Sequence, residues 1–299
     1  MRGAWRRPST HPRLETLRLF AVGAIASLFV VPVALSFGER PEPAAASHVA
    51  ADSFGWSRVP PPAFPQPYGR ANAAVGFDPL AGAGVLFGGQ GSNGTVLGDT
   101  WANDGDFPGR WSNETDTALN PPPPLTEASV AYDAASGNFV LFGGRLANGT
   151  LSGVTWELVG FHTWIQLPSG GGGSPPAQAG AGMVYDPAAG AIVLVSSSNA
   201  SAATWTFRDG TWSPDWPSGG PTARSFPTVA YDPVDRAVFL FGGTGANGSL
   251  NDTWEYSGRT WTQVGSGPAP PASATPRVAY DPRGGGMLLF VGGAAATTW

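Results

Sequence analysis

Along most of the chain, apolar residues come in short uninterrupted runs that are separated by turns rich in Gly, Pro, Asn and Asp. The run Ala237–Phe241, "AVFLF", is typical, since it follows "DPVDR" and precedes a Gly-Gly pair. A short apolar run between turn residues predicts a β-strand that neighbouring sheets cover on both faces. Because Gly or Pro recurs within almost every ten residues of this region, we expect no α-helix there.

One pattern of strands and turns recurs five times. The copies align on an aromatic residue followed by Asp, and these aromatic residues are Phe77, Tyr132, Tyr185, Tyr231 and Tyr280. Their spacings of 55, 53, 46 and 49 residues are typical of the blades of a β-propeller. Each copy continues to a Thr-Trp pair, and the first four copies then carry a second Trp. The pattern predicts four antiparallel strands per copy: one ending at Asp, one apolar, one carrying Thr-Trp and one beginning near the second Trp.

The double glycine after the second strand and the two Trp positions resemble the kelch repeat of β-propellers, including the galactose-oxidase-like group. The resemblance covers about residues 54–299, although the third copy has Ser196-Ser197 in place of Gly-Gly and the fifth has one extra residue before it. It implies an all-β fold, a five-bladed kelch-type propeller with four antiparallel strands per blade. It implies a fold far more firmly than a function.

The N-terminus has the pattern of an export signal or membrane anchor. Residues 1–18 are rich in Arg, and the uncharged apolar run 19–38 predicts a hydrophobic helix, either a signal peptide or a transmembrane helix. The length favours a retained anchor, whereas Pro32 and the small-residue stretches Ala34–Ser36 and Ala44–Ala46 favour cleavage. Residues 39–53 are predicted to be a linker to the domain at 54–299. We expect an extracytoplasmic protein, secreted or anchored to the membrane through residues 19–38 if they are retained.

The amino-acid composition argues against several classes of function. After residue 42 the chain has 10 arginines against 18 acidic residues, so we expect no nucleic acid partner. The absence of Cys excludes disulfides and Cys-ligated metals. It also excludes the copper-radical oxidase activity of the resembled group, which needs a Tyr-Cys crosslink. No metal or other cofactor is predicted, and no catalytic residues are assigned.

The predicted strand order places all long loops at one face. Connections from strand two to three, and from strand four to the next strand one, emerge there, and long loops on a rigid scaffold often carry function. Polar residues at the start of the first strands are the candidate ligand-binding set, with solvated loop charges as the alternative: Arg70, Glu127, Gln178, Arg224 and Arg277.

Six Asn residues lie in Asn-x-Ser/Thr sequons and are candidates for glycosylation: Asn93, Asn113, Asn148, Asn199, Asn247 and Asn251. The alternative is structural, because Asn-Gly is also a favoured turn dipeptide. Likewise, the Asp after each repeat aromatic residue is expected to start an Asx turn rather than to bind a cation.

The sequence therefore predicts a binding module that recognises a protein or a glycan through its loop-rich face. Two alternatives stay open: an extracytoplasmic carbohydrate-active enzyme that uses carboxylates, and a structural cell-surface protein or fragment of a longer repeat protein. The fifth copy lacks a fourth strand, and "FGWSRVPPP" (Phe54 to Pro62) resembles the missing one. We therefore expect Gly55–Val59 to close the ring beside the strand that ends at Trp299.

Overall fold

The computed structural model describes residues 65–103, 105, 110–168, 173–196, 203–215, 217, 219–265, 270–291 and 297–298. All the described residues belong to one compact unit, His48–Trp299. The predicted basic region, hydrophobic helix and linker, and the predicted closing strand at Gly55–Val59, lie outside the described residues.

Short strands account for the regular structure, and they assemble into five main sheets. The first sheet contains β1 (Arg70–Ala71), β2 (Ala74–Asp78), β3 (Ala83–Gly91), β4 (Val96–Asn103) and β5 (Trp111–Asn113). Next along the chain, β6 (Leu125–Thr126) pairs with β9 (Arg145–Leu146), and the second sheet contains β7 (Ser129–Asp133), β8 (Asn138–Phe142), β10 (Thr155–Val159) and β11 (Thr163–Gln166). The third sheet contains β12 (Gly182–Asp186), β13 (Ala191–Ser196), β14 (Ala203–Arg208) and β15 (Thr211–Asp215).

The remaining strands complete the fourth and fifth sheets. The fourth sheet contains β16 (Thr228–Asp232), β17 (Ala237–Phe241), β20 (Thr253–Ser257) and β21 (Thr260–Val264), with the small hairpin β18 (Thr244–Gly245) and β19 (Gly248–Ser249) between β17 and β20. The fifth sheet contains β22 (Arg277–Asp281), β23 (Gly286–Val291) and β24 (Thr297–Thr298). The predicted all-β fold with four antiparallel strands per copy is confirmed for the first four copies. The fifth copy shows three strands within the part of the chain that the structure describes.

The register is the same in the first four sheets because the repeat fixes it locally. In each, the Trp of the third strand lies opposite a Leu of the second strand, in the pairs Leu86–Trp101, Leu141–Trp156, Leu194–Trp205 and Leu240–Trp254. The Asp that ends each first strand caps the following turn, as predicted. For example, the Asp78 carboxylate accepts the backbone N–H of Leu80 at 2.8 Å, and Asp186 accepts that of Ala188 at 2.8 Å.

Successive sheets pack face to face, with β2, β7, β12, β16 and β22 in contact in that order. The strand β8 shows why its sequence is continuously apolar. Phe139 and Leu141 belong to the cluster shared with the first sheet, whereas Val140 and Phe142 belong to the cluster shared with the third. Both faces of β8 are buried, as the apolar run predicts.

The outer faces of the first and fifth sheets differ from the others. Val75 and Phe77 of β2 are 63% and 58% exposed, and Leu288 and Phe290 of β23 are 49% and 48% exposed. By contrast, Phe241, which occupies in the fourth sheet the position of Phe290, is fully buried in the cluster shared with the fifth sheet. The apolar faces at the two ends of the series are therefore open to solvent.

Candidate functional site

Two edges of the stacked sheets carry the polar residues of interest. The loop edge contains the hairpin loops 91–95, 146–150 and 244–249, which join second to third strands. The turn edge contains the tight turns after Asp78, Asp133, Asp186, Asp232 and Asp281, together with the turns between third and fourth strands. The candidate residues predicted from the sequence lie toward the loop edge, whereas a cleft lies toward the turn edge.

Arg70 and Arg224, two of the predicted ligand-binding residues, form the same buried ion pair in the first and fourth sheets. The Arg70 guanidinium donates to both oxygens of Asp99, at 2.5 and 2.8 Å, and Arg224 donates to both oxygens of Asp252, at 2.6 and 2.7 Å. A third bond reaches the carbonyl of Gly88 or Gly242, respectively, at 3.0 and 3.1 Å. With side chains only 4% and 0% exposed, these arginines are enclosed within the scaffold.

The two aspartates of these pairs are held in their ionised form. Burial by itself would raise the pKa of Asp99, but hydrogen bonds from Arg70 and Trp101 and the charge of Arg70 outweigh it and lower the pKa. The pKa of Asp252 is lowered in the same way against burial, by Arg224 and Trp254. Each carboxylate thus accepts bonds from an Arg and from an indole N–H within one sheet. The geometry is that of a structural clamp.

The first glycine of the Gly-Gly pair is required by the next sheet in the first and second copies. At Gly88, φ is +63°, and a Cβ atom would lie 2.3 Å from the carbonyl oxygen of Leu125. At Gly143, φ is +74°, and a Cβ atom would lie 2.6 Å from the carbonyl oxygen of Gln178. Both glycines therefore allow the backbone of the following sheet to approach.

Gln178 occupies in the third sheet the place of Arg70, eight residues before the Asp that ends the first strand. Its partner position is Ala203, so the third sheet lacks both charges of the clamp. The side-chain nitrogens of Gln178 and Trp205 and the Ser196 hydroxyl are buried and have no protein hydrogen-bond partner. These three residues correspond to Arg70, Trp101 and Gly88 of the first sheet. The third sheet thus keeps buried hydrogen-bond donors but lacks the carboxylate that accepts such bonds in the first sheet.

Glu127 and Arg277 lie at other positions of the repeat. Glu127 accepts a bond from Arg145 Nε at 3.2 Å, and its φ of +61° belongs to a series of left-handed residues joined across the sheets. In this series, the Glu127 N–H donates to the Asn72 carbonyl at 2.9 Å, and the Gly180 N–H donates to the Glu127 carbonyl at 2.9 Å. Arg277 is exposed and donates to the Pro276 carbonyl at 2.8 Å.

Among the described residues, no hydrogen bond or ion pair joins the side chains of any two of the five predicted ligand-binding residues. Their joint role in ligand binding stays a prediction, and the buried, paired Arg70 and Arg224 have no guanidinium open to a ligand. A sequence signal for the clamp did exist. The arginine at this place and the Asp two residues before Trp occur together in the first and fourth copies, and neither occurs in the other three.

Five of the six predicted glycosylation sites are described, and all five side chains are exposed: Asn93, Asn113, Asn148, Asn247 and Asn251. Asn199 lies outside the described residues. Asn93 and Asn148 also cap their turns, because each side-chain oxygen accepts the backbone N–H two residues later at 3.0 Å. Exposure and turn formation are therefore compatible here, and glycosylation stays a prediction.

A cleft of about 560 Å³ lies between the third and fourth sheets, toward the turn edge. It is lined by Arg208, Arg236 and Arg259, and by a buried network in which Tyr256 donates to Asp215. Arg259 also bonds Asp215, with Nε at 2.9 Å and Nη2 at 2.7 Å. Burial, followed by the bond to Asp215 and its charge, raises the pKa of Tyr256, so its hydroxyl stays protonated. The sequence analysis did not identify this cleft.

No protein-family model matches the chain, and no curated protein matches it either. Within the described ranges, no group of three or more His, Asp or Glu side chains is placed to hold a metal ion. The same part of the chain contains no helix that is long and apolar enough to cross a membrane. The roles of the residues therefore rest on their geometry.

Proposed function

We propose that residues 54–299 form a five-bladed kelch-type propeller that acts outside the cytoplasm as a binding module for a protein or a glycan, through its loop edge. The propeller arrangement is supported by the face-to-face series of sheets. It is supported further by the recurring bond from a fourth-strand Trp to the Thr of the preceding sheet, as in Trp164 to Thr100 at 3.1 Å. Export is supported by the basic and apolar pattern of residues 1–38.

The observation that carries the binding proposal is the repetition of one exposed hairpin on a rigid base. Gly91 N–H donates to the Thr95 carbonyl and Leu146 N–H donates to the Thr150 carbonyl, both at 2.9 Å, and Thr244 pairs with Ser249 in the fourth sheet. The three loop tips are exposed, while the second strands beneath them are largely buried. Pre-ordered loops lose little conformational entropy when they bind, which favours affinity.

The carboxylates of the loop edge do not favour the enzyme alternative. A catalytic acid needs a raised pKa, but Asp99 and Asp252 have a lowered pKa despite burial, because each is bonded to an Arg. Burial raises the pKa of Glu157 and of Glu255, and nearby aspartates add to the effect, but these residues lie on the third strands of different sheets. We therefore propose binding rather than hydrolysis.

The test is a screen of the full chain, produced without N-glycans, on arrays of glycans and cell-surface proteins. A triple variant, Thr95→Glu, Thr150→Glu and Ser249→Glu, places a charge at the same exposed position of each loop tip. The control variant, Leu80→Glu, Ala135→Glu and Val234→Glu, adds the same charges at equivalent exposed turn-edge positions. We expect the loop-tip variant to bind the array hit at least about tenfold more weakly and the control to bind normally. Equal binding by both variants would contradict the proposal, as would the absence of any hit.

A further inference from the structure

The cleft between the third and fourth sheets brings together arginines in an acidic chain. After residue 42 the sequence has 10 arginines and 18 acidic residues, and three of these arginines line this one cleft. Arg208 is the last residue of β14, Arg259 belongs to the turn between β20 and β21, and Arg236 belongs to the turn between β16 and β17. All three side chains come from a strand end or a short turn, so their bases are held by the sheets.

Two of the guanidinium groups are anchored by contacts that leave other donors available. Arg208 donates to the Ala189 carbonyl and Arg259 donates to Asp215, whereas Arg236 lies near Tyr231. A guanidinium has five N–H donors in a planar fork, so one or two contacts do not saturate it. The Arg259 side chain is still 75% exposed. Anchoring reduces the entropy that an arginine loses when it binds an anion.

Three carboxylates also line the cleft, and their contacts decide which arginines stay available. Asp186 is buried, and one of its oxygens accepts the N–H groups of Ala188 and Ala189. Asp215 is buried and bonded to Tyr256 and Arg259. Asp209 is exposed at a turn tip. Three arginines and three aspartates thus line the cleft, and Arg259 is paired with Asp215. Among the described residues, Arg208 and Arg236 form no ion pair, so these two are the cations available to a ligand.

Arg236 is placed where the repeat favours glycine. Its φ is +54°, and the corresponding residues of the other four copies are Gly82, Gly137, Gly190 and Gly285, with φ between +62° and +76°. A side chain in this left-handed region is strained, whereas glycine adopts it freely. The fourth copy therefore keeps an arginine against the backbone preference of its turn, at the position where that arginine reaches the cleft.

The remaining lining indicates the kind of anion. Hydroxyl groups of Thr211, Ser213 and Ser257 line the cleft and can both donate and accept hydrogen bonds. The volume of about 560 Å³ falls in the range of small-molecule sites. Of the aromatic residues that the structure describes, only Tyr256 lines the cleft, and its hydroxyl is bonded to Asp215. Hydroxyls together with arginines match a ligand that combines many hydroxyls with anionic groups.

We propose that this cleft binds an acidic saccharide, in which carboxylate or sulfate groups pair with Arg208 and Arg236 and sugar hydroxyls meet the Ser and Thr side chains. A planar carboxylate fits the guanidinium fork with its two oxygens, and a tetrahedral sulfate can offer two of its oxygens in the same way. The site is separate from the loop edge of the proposed function, so each can fail without the other.

The test measures binding of trigalacturonate, of a sulfated trisaccharide, and of methyl-esterified trigalacturonate to the full chain by calorimetry. Two variants remove charge from the cleft, Arg208→Gln and Arg236→Gly, the latter restoring the residue of the other four copies. The matched control is Arg283→Gln, which removes an exposed charge from the turn edge of the fifth sheet. Thermal unfolding of each variant checks that the fold is retained. We expect the unfolding midpoint of Arg236→Gly to be no lower than that of the wild type, because the substitution relieves backbone strain.

We expect one of the two anionic saccharides to bind and the methyl ester to bind at least about tenfold more weakly. Arg208→Gln and Arg236→Gly should each weaken binding by about tenfold, whereas Arg283→Gln should change it less than about twofold. The proposal is overturned if neither saccharide binds, or if the control variant loses as much affinity as the cleft variants. It is also overturned if a hexaglutamate peptide binds as tightly as the saccharide and with the same dependence on Arg236, because an acidic peptide is then the occupant.

Discussion

One charged pair is either present or replaced as a whole in each copy of the repeat. The first sheet has Arg70 with Asp99, and the fourth has Arg224 with Asp252. The corresponding residues of the second sheet are Leu125 and Val154, which both belong to the apolar cluster between the first two sheets. A buried ion pair is often no more stabilising than an apolar pair, but losing one partner is costly because an unpaired charge stays buried. Paired replacement between copies agrees with this rule.

Arg70→Leu alone should therefore lower the free energy of unfolding by about 3 kcal/mol, because Asp99 keeps its charge without its partner. The double variant Arg70→Leu, Asp99→Val reproduces the second sheet and should recover most of that loss. Denaturation in urea measures both, and a double variant as unstable as the single one would contradict the interpretation.

The same aspartates make stability depend on pH. A carboxyl whose pKa is lowered by folding stabilises the fold above its usual pKa of 3.8, and this contribution is lost as the pH falls through the lowered value. We expect the wild type to lose more stability than the double variant between about pH 4 and pH 2, and the stability difference between the two proteins to be constant above about pH 5. Urea denaturation across this range checks it. Parallel curves below pH 4 would show that Asp99 does not titrate with folding.

At the scale of elements, a recurring hydrogen bond joins neighbouring sheets. It runs from the fourth strand of one sheet to the third strand of the preceding sheet. Trp164 Nε1 donates to Thr100 Oγ1 at 3.1 Å, Trp212 to Thr155 at 2.8 Å, and Trp261 to Thr204 at 2.9 Å. All three Trp side chains are buried, and two of them pack on a Phe of the preceding sheet, as Phe87 on Trp164 at 5.2 Å between ring centroids. The Thr-Trp pair of each copy thus supplies the acceptor for the next sheet.

Thr155→Val keeps the shape of the side chain but leaves the buried indole N–H of Trp212 without an acceptor. We expect it to lower the free energy of unfolding by about 1–3 kcal/mol. Thr260→Val, at an exposed position of β21, is the matched control and should change stability by less than about 0.5 kcal/mol. Equal effects of the two substitutions, measured by denaturation, would mean that the hydrogen bond contributes nothing.

At the scale of the whole molecule, the outer faces of the first and fifth sheets carry exposed apolar side chains. Val75, Phe77, Leu288 and Phe290 are about half exposed or more, although each belongs to an apolar run of the repeat. In a closed propeller these two faces would pack on each other, and exposed sheet edges would be protected. Thr253 occupies in the fourth sheet the place of Thr100, and the predicted fourth strand of the fifth copy would bring Trp56 to it.

Deletion of residues 54–59 should therefore lower the midpoint of thermal unfolding and promote association, if this segment closes the ring. Trp56→Phe and Thr253→Val should each destabilise the protein, and together they should cost less than the sum of the two. Light scattering and thermal unfolding measure these effects. A deletion variant that stays monomeric with an unchanged midpoint would rule out closure by this segment.

The sequence by itself determined the strands, their turns and their order, because these depend on interactions within a few residues. Apolar runs such as that of β8 predict strands buried on both faces, and Asp78 and its equivalents cap the turns that follow them. The repeat period then carried the same register from sheet to sheet. The predicted closing strand and hydrophobic helix stay predictions.

Only the tertiary structure decided which polar residues are enclosed and which face a cleft. From the sequence, Arg70 looks like a surface charge. The structure places Asp99, 29 residues later, against it. The cleft is lined by Asp215 and Arg259, on different sheets, and no local pattern encodes how two sheets approach each other. Burial and charge pairing are properties of residues that are distant along the chain, and folding is what brings them together.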